Sequence, residues 1–130
     1  MSFRVIHFQW LSDKTLENLI EIDRQLLGGE SWSSDSWYSF FRSGSSLIFL
    51  IIEEGLGVIG FLLCQMGPIG DEFHILKIVV REEYQRRGLG RLMLDDLYKH
   101  FSGRVFLEVN VNNINALTFY EQNEFKTSVR

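Results

Sequence analysis

The sequence predicts a mixed α/β (α+β) domain in which one sheet carries helices on both faces. Three observations predict it. Runs rich in β-branched and aromatic residues alternate with stretches whose apolar positions recur at helical spacing. Two of those runs, Leu47 to Ile52 and Val58 to Met66, flank the turn Glu53-Glu54-Gly55-Leu56-Gly57 and read as a hairpin. The chain has 130 residues, 45% of them hydrophobic and only one a proline, which suits a single domain of up to about 150 residues with a real core.

Each element follows in order. Phe3 to Trp10 is a first strand. Ser12 caps a helix over Asp13 to Leu27, where Leu16, Leu19, Ile20, Leu26 and Leu27 share a face and Gly28-Gly29 stop it. A second, short helix with Trp37, Phe40 and Phe41 is expected in Ser31 to Phe41, and Ser43 to Ser46 is a loop. The second hairpin run is apolar on both faces, so its strand is central. Phe73 to Val80 is a fourth strand. Arg87 to Phe101 is a helix with Leu89, Leu92, Met93 and Leu97 on one face. A strand over Val105 to Val109, a helix over Asn115 to Gln122 and a strand over Phe125 to Val129 complete the order β α α β β β α β α β, about six strands.

Thirteen Lys and Arg against seventeen Asp and Glu leave a net charge of −4, so a phosphate backbone is repelled overall and a nucleic-acid binder is not expected. The longest apolar runs fall well short of the roughly 20 residues that cross a bilayer. One cysteine, Cys64, cannot close an intrachain disulfide, and the N-terminus lacks a signal peptide's apolar run, so a cytoplasmic location is expected.

Chemistry concentrates in Gln85-Arg86-Arg87-Gly88-Leu89-Gly90-Arg91, between a buried strand and an amphipathic helix. Gly88 and Gly90 let a ligand approach the backbone, the first-turn N–H groups carry partial positive charge, and Arg86, Arg87 and Arg91 add more. The competing reading is a helix start with glycines for close packing. A P-loop is excluded because no Lys-Ser or Lys-Thr follows the second glycine, and Met93 stands where a dinucleotide fingerprint needs its third.

The segment Gln85 to Gly90 resembles the Q/R-x-x-G-x-G/A acetyl-CoA loop of the GNAT superfamily of N-acetyltransferases, preceded as there by a strand end, Ile78-Val79-Val80. Downstream, Leu107-Glu108-Val109, Asn113, Ala116, Tyr120 and Phe125 resemble the L-E-V-x-x-x-N-x-x-A-x-x-x-Y-x-x-x-G-F segment of its RimI-like subfamily, which acetylates the N-terminal alanine of a ribosomal protein. The resemblance covers nearly the whole chain. It implies a mostly antiparallel sheet splayed between its fourth and fifth strands, with pantetheine running along Ile78, Val79 and Val80, whose amides pair with it and meet the oxyanion. It also implies acetyl transfer from acetyl-CoA to a primary amine by direct attack, with no metal.

Such chemistry needs a neutral amine, fixed donors for the oxyanion and a proton or hydrogen bond for the departing thiolate. Glu108 is the preferred general base, on the expectation that a carboxylate in mid-strand between Leu107 and Val109 is costly to bury unpartnered; a structural ion pair is the alternative. His74 competes, in the fourth-strand position where many relatives carry a catalytic glutamate, although a polar residue at a strand surface is its commoner use. Tyr120 matches the tyrosine that faces the sulfur, against the commoner use of such an aromatic as packing. Asn113 contacts the cofactor or caps the last helix. Trp32 and Trp37 line a peptide cleft or pack; Cys64 is a core thiol.

An α-amino group with a pKa of about 8 is roughly a tenth neutral at pH 7, whereas a lysine near 10.4 needs ~4.6 kcal/mol of neutralisation, so one modest base suffices for a peptide or protein N-terminus. Two departures stand out. Glu124 replaces the glycine that ends the last helix, and the chain ends at Arg130, sooner than the resemblance implies. The acceptor cleft is then expected to be open, completed by a second subunit, or defective, in a monomer or homodimer. The alternatives are a non-catalytic acyl-CoA-binding sensor and a small-molecule amine acetyltransferase.

Overall fold

The computed structural model describes residues 3–8, 11–55, 57–110 and 112–126, with backbone only for 3–8. Its elements run β1 (Phe3–Phe8), α1 (Asp13–Leu27), α2 (Ser34–Arg42), β2 (Ser46–Glu53), β3 (Gly57–Met66), β4 (Glu72–Val80), α3 (Leu89–His100), β5 (Arg104–Leu107) and α4 (Ile114–Gln122). The strands lie side by side in chain order, antiparallel from β1 to β4 and parallel between β4 and β5. The sheet therefore has five strands among the described residues, not six. Phe125 and Lys126 are not in a strand, and the rest of the expected last strand, like the end of the first at residues 9 and 10, lies outside the described residues.

Both faces of the sheet are covered. On one side Leu47, Phe49, Leu62, Cys64, Phe73 and Ile75 pack against Leu89, Met93, Leu94 and Leu97 of α3. On the other, Ile48, Leu50, Phe61, Leu63 and Val79 pack against Leu16, Leu19 and Ile22 of α1 and Trp37 and Phe40 of α2. Side chains alternate along a strand, so one extra residue exchanges the faces. That happens on β4. Leu63 pairs with Lys77 and Cys64 with Ile75, leaving Leu76 as a bulge. Before it, Phe73 and Ile75 face α3; after it, Ile78 and Val80 do, and Lys77 and Val79 turn toward α1.

The same bulge marks where the sheet opens. β4 pairs with β5 from Glu72↔Arg104 to Ile75↔Leu107 and no further. A bulge bends its strand and interrupts the ladder, so β5 ends at Leu107 and not at Val109 as its composition suggests. On the side away from β3, the β4 edge from Leu76 to Val80 has no strand beside it among the described residues. This is the splay that the sequence resemblance implies.

The reversal also buries a charge. Lys77 Nζ lies 2.8 Å from Asp23 Oδ1 of α1, with both side chains almost wholly enclosed. The other carboxylate oxygen accepts from the Trp32 backbone N–H at 2.9 Å and the Trp37 indole N–H at 3.1 Å. Asp23 lies seven positions after Leu16 and four after Leu19, on the buried face of α1. Pairing with satisfied hydrogen bonds is what makes such burial tolerable. Replacing Asp23 by Ala is expected to cost about 3–5 kcal/mol, because Lys77 is left buried without a counter-charge. Urea unfolding of the variant against the wild-type chain measures it.

Candidate active site

Three of the four helices begin with a side-chain cap: Ser12 accepts from the Thr15 N–H, Ser33 from Ser36 and Asn113 from Ala116. Helix α3 begins at Gly88 with no side-chain cap and no acidic residue in its first turn. Its first amides are therefore left for an external acceptor, and the helix dipole favours an anion there. Gly88 has φ +75°, and a side chain there would meet nothing within 4 Å, so the space in front of the turn is open. Arg86 also takes a left-handed backbone, φ +65°, uncommon outside glycine. Alternating backbone hands of this kind turn successive N–H groups into one concavity, a nest for phosphate oxygens.

The loop's side chains have different duties. Gln85 Nε2 donates to the Val80 carbonyl at 2.9 Å, tying the loop to the end of β4. Arg86 and Arg87 are exposed, with Arg87 lying over the Tyr84 ring at 5.2 Å. Leu89 is a core side chain, 5% exposed, so only its backbone faces the cradle. Gly90 is needed for packing: a Cβ there would sit 2.8 Å from Phe119 of α4. Arg91, expected to add charge to the cradle, is instead engaged with Asp95 at 2.8 Å and with the Asn123 side-chain oxygen at 3.0 Å. Gly90 thus fits the packing reading of the glycines, whereas Gly88 has open space in front of it.

At the other end of the open edge, roughly 17 Å along β4 at ~3.3 Å per residue, lies a cleft of about 340 Å³. It is lined by Trp32, His74, Ile75, Leu76, Phe106, Leu107 and Glu108. The two candidate bases thus meet in one place. Glu108, however, is exposed and lies just past the end of β5, so the expectation of a carboxylate in a buried mid-strand position is corrected. His74 stacks on Phe106 with ring centroids 5.3 Å apart, and its Nε2 is 3.8 Å from Glu72 Oε2. Glu72 in turn accepts from Arg104 at 2.9 Å. A second cleft of about 620 Å³, lined by Ser45, Gln65, Gly67 and Pro68 among others, shares His74 with the first.

Tyr120 does not line either cleft. It sits on α4 between Phe119 and Phe125, ring centroids 5.3 and 5.4 Å away, and burial pushes its phenol up to about 12. Asn113 caps α4, its side-chain oxygen taken by the Ala116 N–H. Of the two tryptophans, Trp37 is fully buried and packs on Phe61, whereas Trp32 borders the cleft. Cys64 is a buried thiol, likewise pushed up to about 12 by burial. Reasoning from sequence missed Asp23 and Lys77; the available signals were a lone lysine in an apolar strand and an aspartate at a core position of α1.

Residues 11–125 match the acetyltransferase (GNAT) family, and the chain belongs to it. It is 27% identical over 135 residues to N-alpha-acetyltransferase 60 of Danio rerio, covering 82% of this chain and 56% of that protein. It is 39% identical over 82 residues to the ribosomal protein bS18-alanine N-acetyltransferase of Escherichia coli (strain K12), 53% of this chain and 55% of that one. The crystal structure of the ribosomal-protein-S18-alanine N-acetyltransferase from Escherichia coli superposes with a TM-score of 0.81 and 26% identity, over 98% of this chain and 80% of that chain. The chain spans about half the length of the curated relatives it matches.

Helix α4 ends at Gln122 with Asn123 as its C-cap at φ −100°, and Glu124, just past the cap, takes the left-handed position at φ +71°. A side chain in that conformation is strained by about 1–2 kcal/mol, part of which glycine would give back as unfolded-chain entropy. Glu124→Gly is therefore expected to raise stability by about 0.5–1 kcal/mol, read as a higher Tm. The pH dependence also has a definite sign. Folded Cys64 and Tyr120 keep their protons to about pH 12, above ordinary values of 9.0 and 10.0. Above about pH 9 the unfolded chain sheds protons that the folded chain keeps, so stability is full below that pH and falls up to about 12. Tyr120 contributes about 2–3 kcal/mol of that loss, and alkaline melting curves of Tyr120→Phe should fall less steeply.

Proposed function

We propose that this chain transfers an acetyl group from acetyl-CoA to the α-amine of a peptide or protein N-terminus. The observation that carries the reading is the uncapped, nest-preceded start of α3 next to a β4 edge with no strand partner. The first suits a pyrophosphate, and the second suits an amide-bearing arm that adds to an exposed strand edge. The names of the relatives support the same chemistry: N-alpha-acetyltransferase and ribosomal protein alanine N-acetyltransferase. Two clefts lie side by side at His74, enough surface for a peptide to extend from the first into the second.

In this reading the cradle at Arg86 to Gly90 holds the pyrophosphate, and those amides of Ile78, Val79 and Val80 that point away from β3 hold the pantetheine and meet the oxyanion. Val80 contributes less through its carbonyl, which already accepts from Gln85. The amine arrives in the cleft of His74 and Glu108. Glu108, being exposed, takes the proton of an α-ammonium that is already partly neutral at pH 7, directly or through water. The neutral nitrogen attacks the thioester carbon, the tetrahedral adduct collapses as its C–S bond breaks and the thiolate leaves, and the extra proton on the new amide nitrogen passes to the departing sulfur or to water. Tyr120 at about 12 is some 3.5 units above a thiol near 8.5, so full proton transfer to sulfur is uphill by roughly 5 kcal/mol. Its role is a hydrogen bond to the leaving sulfur. The single buried thiol fits a protein of the cytoplasm.

The experiment is calorimetric titration with acetyl-CoA together with thiol release, using alanine-first peptides, lysine peptides and polyamines. The expected result is acetyl-CoA binding and thiol release that depends on a free peptide N-terminus. Glu108→Gln is expected to lower kcat by about 100-fold and to alter the pH profile, with acetyl-CoA affinity kept. An unchanged profile would transfer the role of base to His74. Binding with no release from any acceptor would convert the reading into that of an acyl-CoA-binding module.

A further inference from the structure

The buried Lys77–Asp23 pair has no place in the acetyl-transfer chemistry, yet most of its contacts converge on the connection between α1 and α2. Asp23 Oδ2 holds the Trp32 backbone N–H, and Lys77 Nζ donates to the Glu30 carbonyl at 3.3 Å and lies 4.9 Å from the centre of the Trp32 ring. Trp32 is thus held at backbone and ring by one ion pair. Its ring borders the cleft beside Leu76, the bulged neighbour of Lys77 on β4. The pair therefore ties the wall of the cleft to the strand along whose edge the thioester is placed.

We propose that Asp23 and Lys77 are positioning residues for acceptor selection, and that Trp32, fixed by them, is the wall that discriminates between small and large first residues of the acceptor. The inference rests on the reading of this cleft as the acceptor site. The physical reason is geometric. Trp32 and Phe106 both border a cleft of about 340 Å³, so small displacements of a bulky ring change which side chains fit beside the attacking amine. Lys77 is anchored in the sheet and Asp23 in α1, and the connection between α1 and α2 opens with a single 3-10 turn over Gly28–Glu30, so the pair is what ties Trp32 to both layers.

The test is the ratio of kcat/KM for alanine-first and leucine-first peptides in the full chain, for Trp32→Ala, Lys77→Met and the double variant, with acetyl-CoA affinity measured in each. Trp32→Ala is expected to shift the ratio by about tenfold, Lys77→Met to shift it in the same direction, and the double variant to go no further than Trp32→Ala. Acetyl-CoA affinity should stay within about twofold in all three, and Lys77→Arg should restore most of the ratio. A folded Lys77→Met with the wild-type ratio, or effects of the two substitutions that simply add, overturns the inference while leaving the acetyltransferase reading intact. If Lys77→Met fails to fold, Lys77→Met combined with Asp23→Leu, which removes both buried charges together, takes its place with the same expected and overturning outcomes. A wild-type chain that releases no thiol with any peptide overturns both readings at once.

Discussion

The bulge at Leu76 is the constraint on which the rest of the structure depends. One residue too many on β4 ends its ladder with β5 at Ile75↔Leu107 and exchanges the faces of every residue that follows. The first effect leaves the side of β4 away from β3, from Leu76 to Val80, without a strand partner among the described residues. Unpaired N–H and C=O groups are either hydrated or taken by something else, and an extended arm with its own amides is the natural taker. The second effect turns Lys77 into the α1 layer and Ile78 and Val80 toward α3.

The two helix layers respond to that strand in different ways. On the α3 side the contacts are apolar and the close approach of Phe119 to Gly90 brings α4 against the start of α3. Arg91 then ties the two helices a second time, through the Asn123 side chain whose own amide donates to the Phe119 carbonyl at 2.7 Å. An arginine that looked like part of the anion cradle therefore belongs to the support of the helix that carries Tyr120. On the α1 side the layer is fastened by charge, and the fastening reaches the connection that borders the open cleft. The uncapped start of α3 and the cleft of His74 and Glu108 thus lie toward opposite ends of one strand edge, each held by a different layer.

Much of this was legible before any coordinates. The helices over Asp13 to Leu27 and the stretch after Arg87, the hairpin around Gly55 and Gly57, and the loop from Gln85 to Arg91 all rest on local chemistry: spacing, caps and turn residues that act within a few positions. The absence of a cap before Leu89 is likewise a local fact, visible once Gly88 is set beside Ser12, Ser33 and Asn113. Glu108 misled because its neighbours Leu107 and Val109 look like strand, while the strand's end is decided by its partner.

The sequence by itself determined the fold class, most of the order of elements and the glycine-bearing turn before α3, because each depends on residues close together along the chain. The tertiary structure alone decided the end of β5, the partners of Lys77 and Asp23, the diversion of Arg91, and the meeting of His74 with Glu108 in one cleft. Those depend on pairing between segments as far apart as residues 23 and 77, and on a register in which one bulged residue reverses what faces what. No local pattern encodes a bulge whose cause is the strand beside it.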